Sequence, residues 1–254
     1  MNSILIISAN TFKETIRNKV LYNILLVAGV ALFLSMAFGD LSVFSRAQVM
    51  ADFGLATMSL TGLLLAVFIG VGMLGREISS KTVYSVLTRP VTRESFILGK
   101  FFGLFATLMM NFALISVVFF IFISLLGTSV KPSLSWAVVL TAAEMAVMIS
   151  AAIFFSSFTT PTLAAIFSIS FYVAGHLNNM IGIGAEQQNS VIWRTILKLL
   201  YFAFPNLDHF NIRARVVYEL SIPEGYIAGA LLYGLLYTTL LLSLSILFFS
   251  RKDL

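Results

Sequence analysis

Few residues in this sequence are placed to do chemistry, and the most conspicuous is a lone carboxylate. Glu144 stands in an apolar stretch in which residues 134–143 and 145–158 carry no charge. A helix over that stretch puts it near the middle of a hydrocarbon layer, where ionisable side chains are costly and by default mark a functional site. Its candidate partners are Asn111, His176, Asn178 and Asn179 in other apolar stretches. Two readings stay open. Glu144 makes a structural hydrogen bond between helices, worth about 1 kcal/mol, or it stands on a substrate or proton pathway with those four residues.

Other chemistries find little to work with. There is no cysteine, which removes disulfides, thiol catalysis and cysteine metal sites. His176 and His209 are the only histidines, and neither has further ligands at metal spacing. Asp208-His209 lacks a suitably placed serine for a triad. A phosphate-cradling loop needs Gly-x-x-x-x-Gly-Lys-Ser/Thr. The only Gly-Lys here is Gly99-Lys100, and Phe101 follows it. The chain is therefore expected to be no enzyme, with no catalytic, metal or cofactor-binding residue of its own.

The elements that must position these residues are helices in lipid. Apolar residues make up 59% of the 254, charged residues 11%, and mean hydropathy is +0.98. Soluble domains carry about a quarter charged residues, so this surface is not built for water. Six runs reach the roughly 20 apolar residues that span a bilayer as helix: 20–38, 55–75, 101–126, 134–158, 161–183 and 226–249. None alternates with the period of two that a β-barrel strand needs. The fold class is all-α, a polytopic membrane protein of six spans in one domain covering 1–254.

Orientation follows from the basic residues. One side collects Lys13, Arg17, Lys19, Arg76, Lys81, Arg89, Arg93, Lys100, Arg251 and Lys252 against four acids. The other side balances six basic residues with six acids. Both termini are expected in the cytoplasm. The net charge of +5 then reads as topology, with no nucleic acid partner implied.

Three segments outside the spans have helical character. In 1–19, Leu5, Ala9, Phe12 and Ile16 recur at helical spacing, as in a helix lying in the headgroup plane; the alternative is that it extends the first span. Its charges follow an apolar stretch, so it is not a cleavable leader. In 76–100, Ile78, Val83, Val86 and Leu87 suggest a short cytoplasmic helix ended by Arg89-Pro90, after which Thr92 caps the helix entering the third span. In the external connection 184–225, Val191–Phe204 is helical in pattern, too short to cross and too apolar for a free loop, hence interfacial or re-entrant until Pro205. Gly99-x-x-x-Gly103 and Gly225-x-x-x-Gly229 are small-residue ridges that by themselves identify no partner helix.

The order Glu77, Thr82, Leu87, Pro90, Arg93, Gly99, Lys100, with the basic start around Thr11–Lys19, Pro205-Asn206 with Phe210, and the end Arg251-Lys252, resembles the permease subunits of type-2 ABC transporters. That mostly exporting class includes the nitrous-oxide-reductase maturation permease. Ser80-Lys81 departs from the glycine common before the threonine. The resemblance implies an elbow helix at 1–19, a coupling loop at 76–100 and short external helices before the last span. It also implies an ATPase partner in two copies, which binds ATP and Mg²⁺, and a second permease copy, identical or different. Contact with the ATPase then falls to Glu77, Lys81, Arg89 and Arg93 as a charged rim, Val83, Val86 and Leu87 as its centre, and Thr82 and Pro90 within the motif. The expected place is the inner membrane of a bacterium.

Two other classes compete with a permease. An intramembrane enzyme should show paired acids or clustered histidines, which a lone Glu144 does not supply. A non-transporting membrane component, coupling ATP hydrolysis to an envelope machine through 184–225, is not separable from an exporter by sequence.

Overall fold

The computed structural model describes residues 3–41, 46–79, 92–125 and 132–251, and among these every regular element is a helix. In chain order they are α1 (Ser3–Ile16), α2 (Lys19–Leu41), α3 (Arg46–Ser79), α4 (Arg93–Leu125), α5 (Pro132–Phe158), α6 (Pro161–His176), α7 (Asn178–Gln187), α8 (Val191–Ala203), a 3₁₀ turn (Leu207–Phe210), α9 (Arg213–Val217) and α10 (Tyr226–Ser250). Among the described residues four helices are long and apolar enough to cross a membrane, within α3, α4, α5 and α10. The pair α1–α2, bent by 59°, makes a fifth candidate if it counts as one span.

The centre of the bundle is α5. Leu140, Met145, Val147, Met148, Ala151 and Ile153 are enclosed, and α3, α4, α6 and α10 all pack around the helix. Its run of Ala142, Ala143, Ala146, Ser150, Ala151 and Ala152 lets neighbours come close, which is how helices associate where lipid is as apolar as leucine. Gly62 of α3 answers that surface: a Cβ there would stand 2.7 Å from Met145 Cγ and 2.9 Å from the Phe112 ring. Outward, α2, α4 and α10 expose Leu26, Phe33, Val117, Ile121, Leu232 and Leu235. Helices apolar on every face belong in a hydrocarbon surround.

The amino-terminal helix packs one side on the bundle. Thr11 and Thr15 are buried, and the side facing α4 carries Ile4, Ile7, Ser8 and Thr11. It sits on the Gly99–Gly103 ridge, where a Cβ on Gly103 would meet Thr11 Cβ at 2.6 Å and the Ser8 carbonyl at 2.7 Å. Leu5 and Ala9 of the expected apolar face stay exposed. The ridge that named no partner in the sequence thus receives α1. Asn18 makes the bend, its Oδ1 accepting the Val20 N–H at 3.0 Å.

One helix end lies beyond its expected place, and another falls on its expected cap. Helix α3 runs unbroken to Ser79, past the expected end of its span at Gly75; the rest of the expected 76–88 helix lies outside the described residues. Helix α4 starts at Arg93, well before Phe101, because Thr92 caps it: Thr92 Oγ1 donates to Ser95 Oγ at 2.8 Å and accepts the Ser95 N–H at 3.2 Å. Its 33 residues make about 50 Å of helix, longer than a hydrocarbon core of about 30 Å.

The expected fifth span, 161–183, is broken. Pro161 opens α6 after Thr160, but α6 ends at His176 and α7 resumes after Leu177. The break has a tertiary cause. Asn178 Nδ2 donates to the carbonyls of Tyr201 and Phe204, both at 2.9 Å, and Gly175 leaves space for Leu207, whose Cγ would lie 2.6 Å from a Cβ there. The chain beyond α8 folds back into the bundle, burying Leu207, Phe210, Ile212 and Val216. Helix α8 ends before Pro205 as expected and buries none of its residues, leaving Val191, Ile192, Trp193, Leu199 and Phe202 exposed.

Candidate functional site

The break after His176 is what builds the site. Ending α6 there aims its last side chain between α5 and the 3₁₀ turn. Asn206 fixes that turn, its Oδ1 accepting the Asp208 N–H at 3.1 Å, so Asp208 faces α6 from the other side. His176 Nε2 lies 2.8 Å from Glu144 Oε1, and Nδ1 lies 3.3 Å from Asp208 Oδ1. Asn179, the second residue of α7, donates to Asp208 Oδ2 at 3.0 Å and accepts from Asn206 Nδ2 at 2.7 Å. The imidazole is therefore clasped between two carboxylates.

Exposure grades along this chain. The Glu144 side chain is 3% exposed, His176 23% and Asp208 34%. Tyr172, one turn before His176, packs its ring edge-on to the imidazole with centroids 4.5 Å apart, and its hydroxyl meets Ser59 Oγ at 3.0 Å. Glu144, His176, Tyr172 and Ser59, but not Asp208, border a cavity of about 370 Å³, walled by Leu55, Ala137, Phe210 and Ile212 with Thr141 and Asn211. Arg213 also borders it, and its Nε is held by Asp52 Oδ1 at 2.8 Å. Asn179 borders a second cavity of about 360 Å³ with Glu186, Lys198 and Tyr201.

Hydrogen-bond accounting limits the protonation states. An ionised carboxylate only accepts, and a neutral imidazole has one donor nitrogen. Both short contacts need two protons among three groups. Either His176 carries both, or one of the two carboxyls carries a proton and donates to its ring nitrogen while the other ring nitrogen donates to the remaining carboxylate. In each case Glu144, His176 and Asp208 together hold one net negative charge. The carboxylates address opposite ring nitrogens, so they do not converge on a point; among the described residues no three His, Asp or Glu side chains are arranged to hold a metal ion.

The residues expected around Glu144 separate in space. His176 touches it directly, and Asn179 joins through Asp208. Asn178 turns away to the carbonyls that end α8. Asn111 does not border the Glu144 cavity; its Nδ2 donates to Thr107 O at 2.8 Å in its own helix. Asp208 was not among the expected residues. Its only local signals are the Asn206 cap and the apolar Leu207 and Phe210, which draw the turn inward.

Of the residues expected to meet an ATPase, Lys81, Thr82, Val83, Val86, Leu87, Arg89 and Pro90 lie outside the described residues, as does the side chain of Glu77. Arg93 is described. It donates to the carbonyls of Phe249 and Ser250 at 2.8 and 2.9 Å, with its guanidinium 5.9 Å from the Phe249 ring centroid. A cation on those terminal carbonyls caps α10.

Comparison with known sequences adds one match of great extent. A sequence model described as ABC-2 family transporter protein matches residues 5–254. No curated protein matches the chain.

Proposed function

This chain belongs to the ABC-2 family of transporter proteins, whose membership makes it the membrane component of an ABC transporter, and we propose that it is the permease of an exporter driven by a separate ATPase. The observation that carries this reading is the family match across nearly the whole chain. In this reading two ATPase subunits bind ATP and Mg²⁺, and two permease copies form the path through the inner membrane of a bacterium. Six spans cross it, counting α2 and the broken α6–α7, with both termini in the cytoplasm. The basic residues gathered on one side support that orientation.

The 76–100 segment is the coupling loop, because an ATPase closing beneath it needs a rigid element joined to the spans. Glu77, Lys81, Thr82, Val83, Val86, Leu87, Arg89, Pro90 and Arg93 form the contact, and α3 and α4 carry its motion inward. The substrate path runs through the Glu144 cavity, with His176 and Asn179 along it. Asn178 holds the end of α8, and Asn111 stands apart from this path.

The test is ATP hydrolysis by the co-assembled ATPase with permease carrying Arg89→Glu. Lost stimulation with retained permease yield is the expected result. Arg93→Glu is a poorer variant, since it also releases the end of α10. Full coupled transport with Arg89→Glu would remove the coupling-loop assignment. The competing role, a component that drives an envelope machine, draws on α8 with its uncovered apolar face. It predicts that only an extracytoplasmic protein, and no small solute, stimulates hydrolysis.

A further inference from the structure

We propose that the Glu144 cavity binds a small organic cation, an ammonium group joined to an apolar body, with Glu144 as its acceptor. Three observations lead there. The first is an unused acceptor in a sealed place. Glu144 borders the cavity with its side chain 3% exposed, and among the described residues the hydrogen bond it makes is that of Oε1 with His176. A carboxyl group has acceptor capacity on both oxygens, so Oε2 is available to a ligand N–H.

The second is the sign of the charge. Glu144, His176 and Asp208 hold one net negative charge in either proton arrangement. At the same cavity the positive charge of Arg213 is matched by Asp52 at 2.8 Å. Tyr172 presents a neutral ring and hydroxyl. Among the described residues these ionised groups sum to minus one, with Glu144, His176 and Arg213 at the cavity itself and Asp208 and Asp52 behind them, so a monocation neutralises the cluster, whereas an anion adds to its charge. The third is shape. A volume of about 370 Å³ falls in the range of small-molecule sites, and Leu55, Ala137, Phe210 and Ile212 wall it with apolar surface. The ring of Tyr172 adds a face suited to a cation.

Taking the bound cation as cargo rests on the permease reading; the binding itself does not. The experiment is calorimetric titration of the purified full chain in detergent with 2-phenylethylammonium, 2-phenylethanol and 3-phenylpropanoate. These share a ring and tether while carrying positive, zero and negative charge. The expected result is one site per chain for the cation, with the alcohol and the carboxylate weaker by roughly tenfold or more, as a charge-assisted hydrogen bond requires. Glu144→Gln should erase the preference for the cation over the alcohol. Equal binding of the three, or preference for the carboxylate, overturns the proposal, and so does a folded Glu144→Gln chain that keeps the cation preference. If that variant does not fold, the three-ligand series on the unaltered chain still decides. ATPase co-assembly, measured on the same preparation, reports separately on the permease reading: binding fails with assembly intact if only the site is wrong.

Discussion

Asn111 and Glu144 sit on adjacent helices of one bundle, and both are almost fully enclosed, at 2% and 3% exposure. Their surroundings differ in kind. Asn111 satisfies its amide within its own helix, on Thr107, while its Oδ1 has no partner and the space beside it, shared with Thr15 and Gly70, is only about 10 Å³. Glu144 reaches across helices to His176, which reaches across a loop to Asp208, beside about 370 Å³ of open space. A buried polar residue gains a ligand-binding role from room and from partners on other elements. Burial alone supplies neither.

Substitutions can break or sharpen that contrast. The largest effect is expected from His176→Ala, which leaves Glu144 enclosed without its partner. Removing one member of a buried pair costs about 3–5 kcal/mol, so the unfolding midpoint in detergent should fall clearly, and His176→Gln, which keeps a donor, should recover part of it. A fall equivalent to less than about 1 kcal/mol would mean that the clasp contributes little. Tyr172→Phe removes the hydroxyl contact with Ser59 but keeps the ring against His176. It should cost about 1 kcal/mol in the same measurement while leaving the cation preference in place. The smallest change is expected from Asn111→Leu. It deletes an unpartnered oxygen at nearly constant shape, so stability should stay within about 1 kcal/mol of the parent. A loss of coupled transport in that variant would join the two regions into one pathway and erase the distinction drawn above.

Much of this architecture is legible in the sequence, and the rest follows a pattern. Apolar runs identify α3, α4, α5 and α10 because their composition alone decides where they can reside. Thr92 announces α4, and Pro205 closes the region after α8, through local chemistry. Glu144 is conspicuous because charge is so scarce around it, and His176 is found among its few candidate partners. Asp208 escapes, since its carboxylate is brought to His176 by a turn 32 residues further on, and the Asn206 cap with apolar Leu207 and Phe210 does not say which helix that turn meets. The break at Leu177 escapes for the same reason: Asn178 is recruited by carbonyls 23 and 26 residues away. The glycine ridge at 99 and 103 is visible as a pattern, but its occupant, α1, is a matter of tertiary packing.

The grip of Arg93 on the last turn of α10 has a consequence for synthesis. Donor and acceptor are 156 residues apart, so the guanidinium emerges long before its carbonyls exist. At about 5–20 residues per second, it waits roughly 10–30 s for the final helix. Until then the root of α4 is held by only part of its eventual contacts. Insertion of α10 is thus the event that locks the bundle, and a ribosome stalled before Phe249 leaves a membrane-bound chain with an unfastened joint for quality-control proteases to recognise.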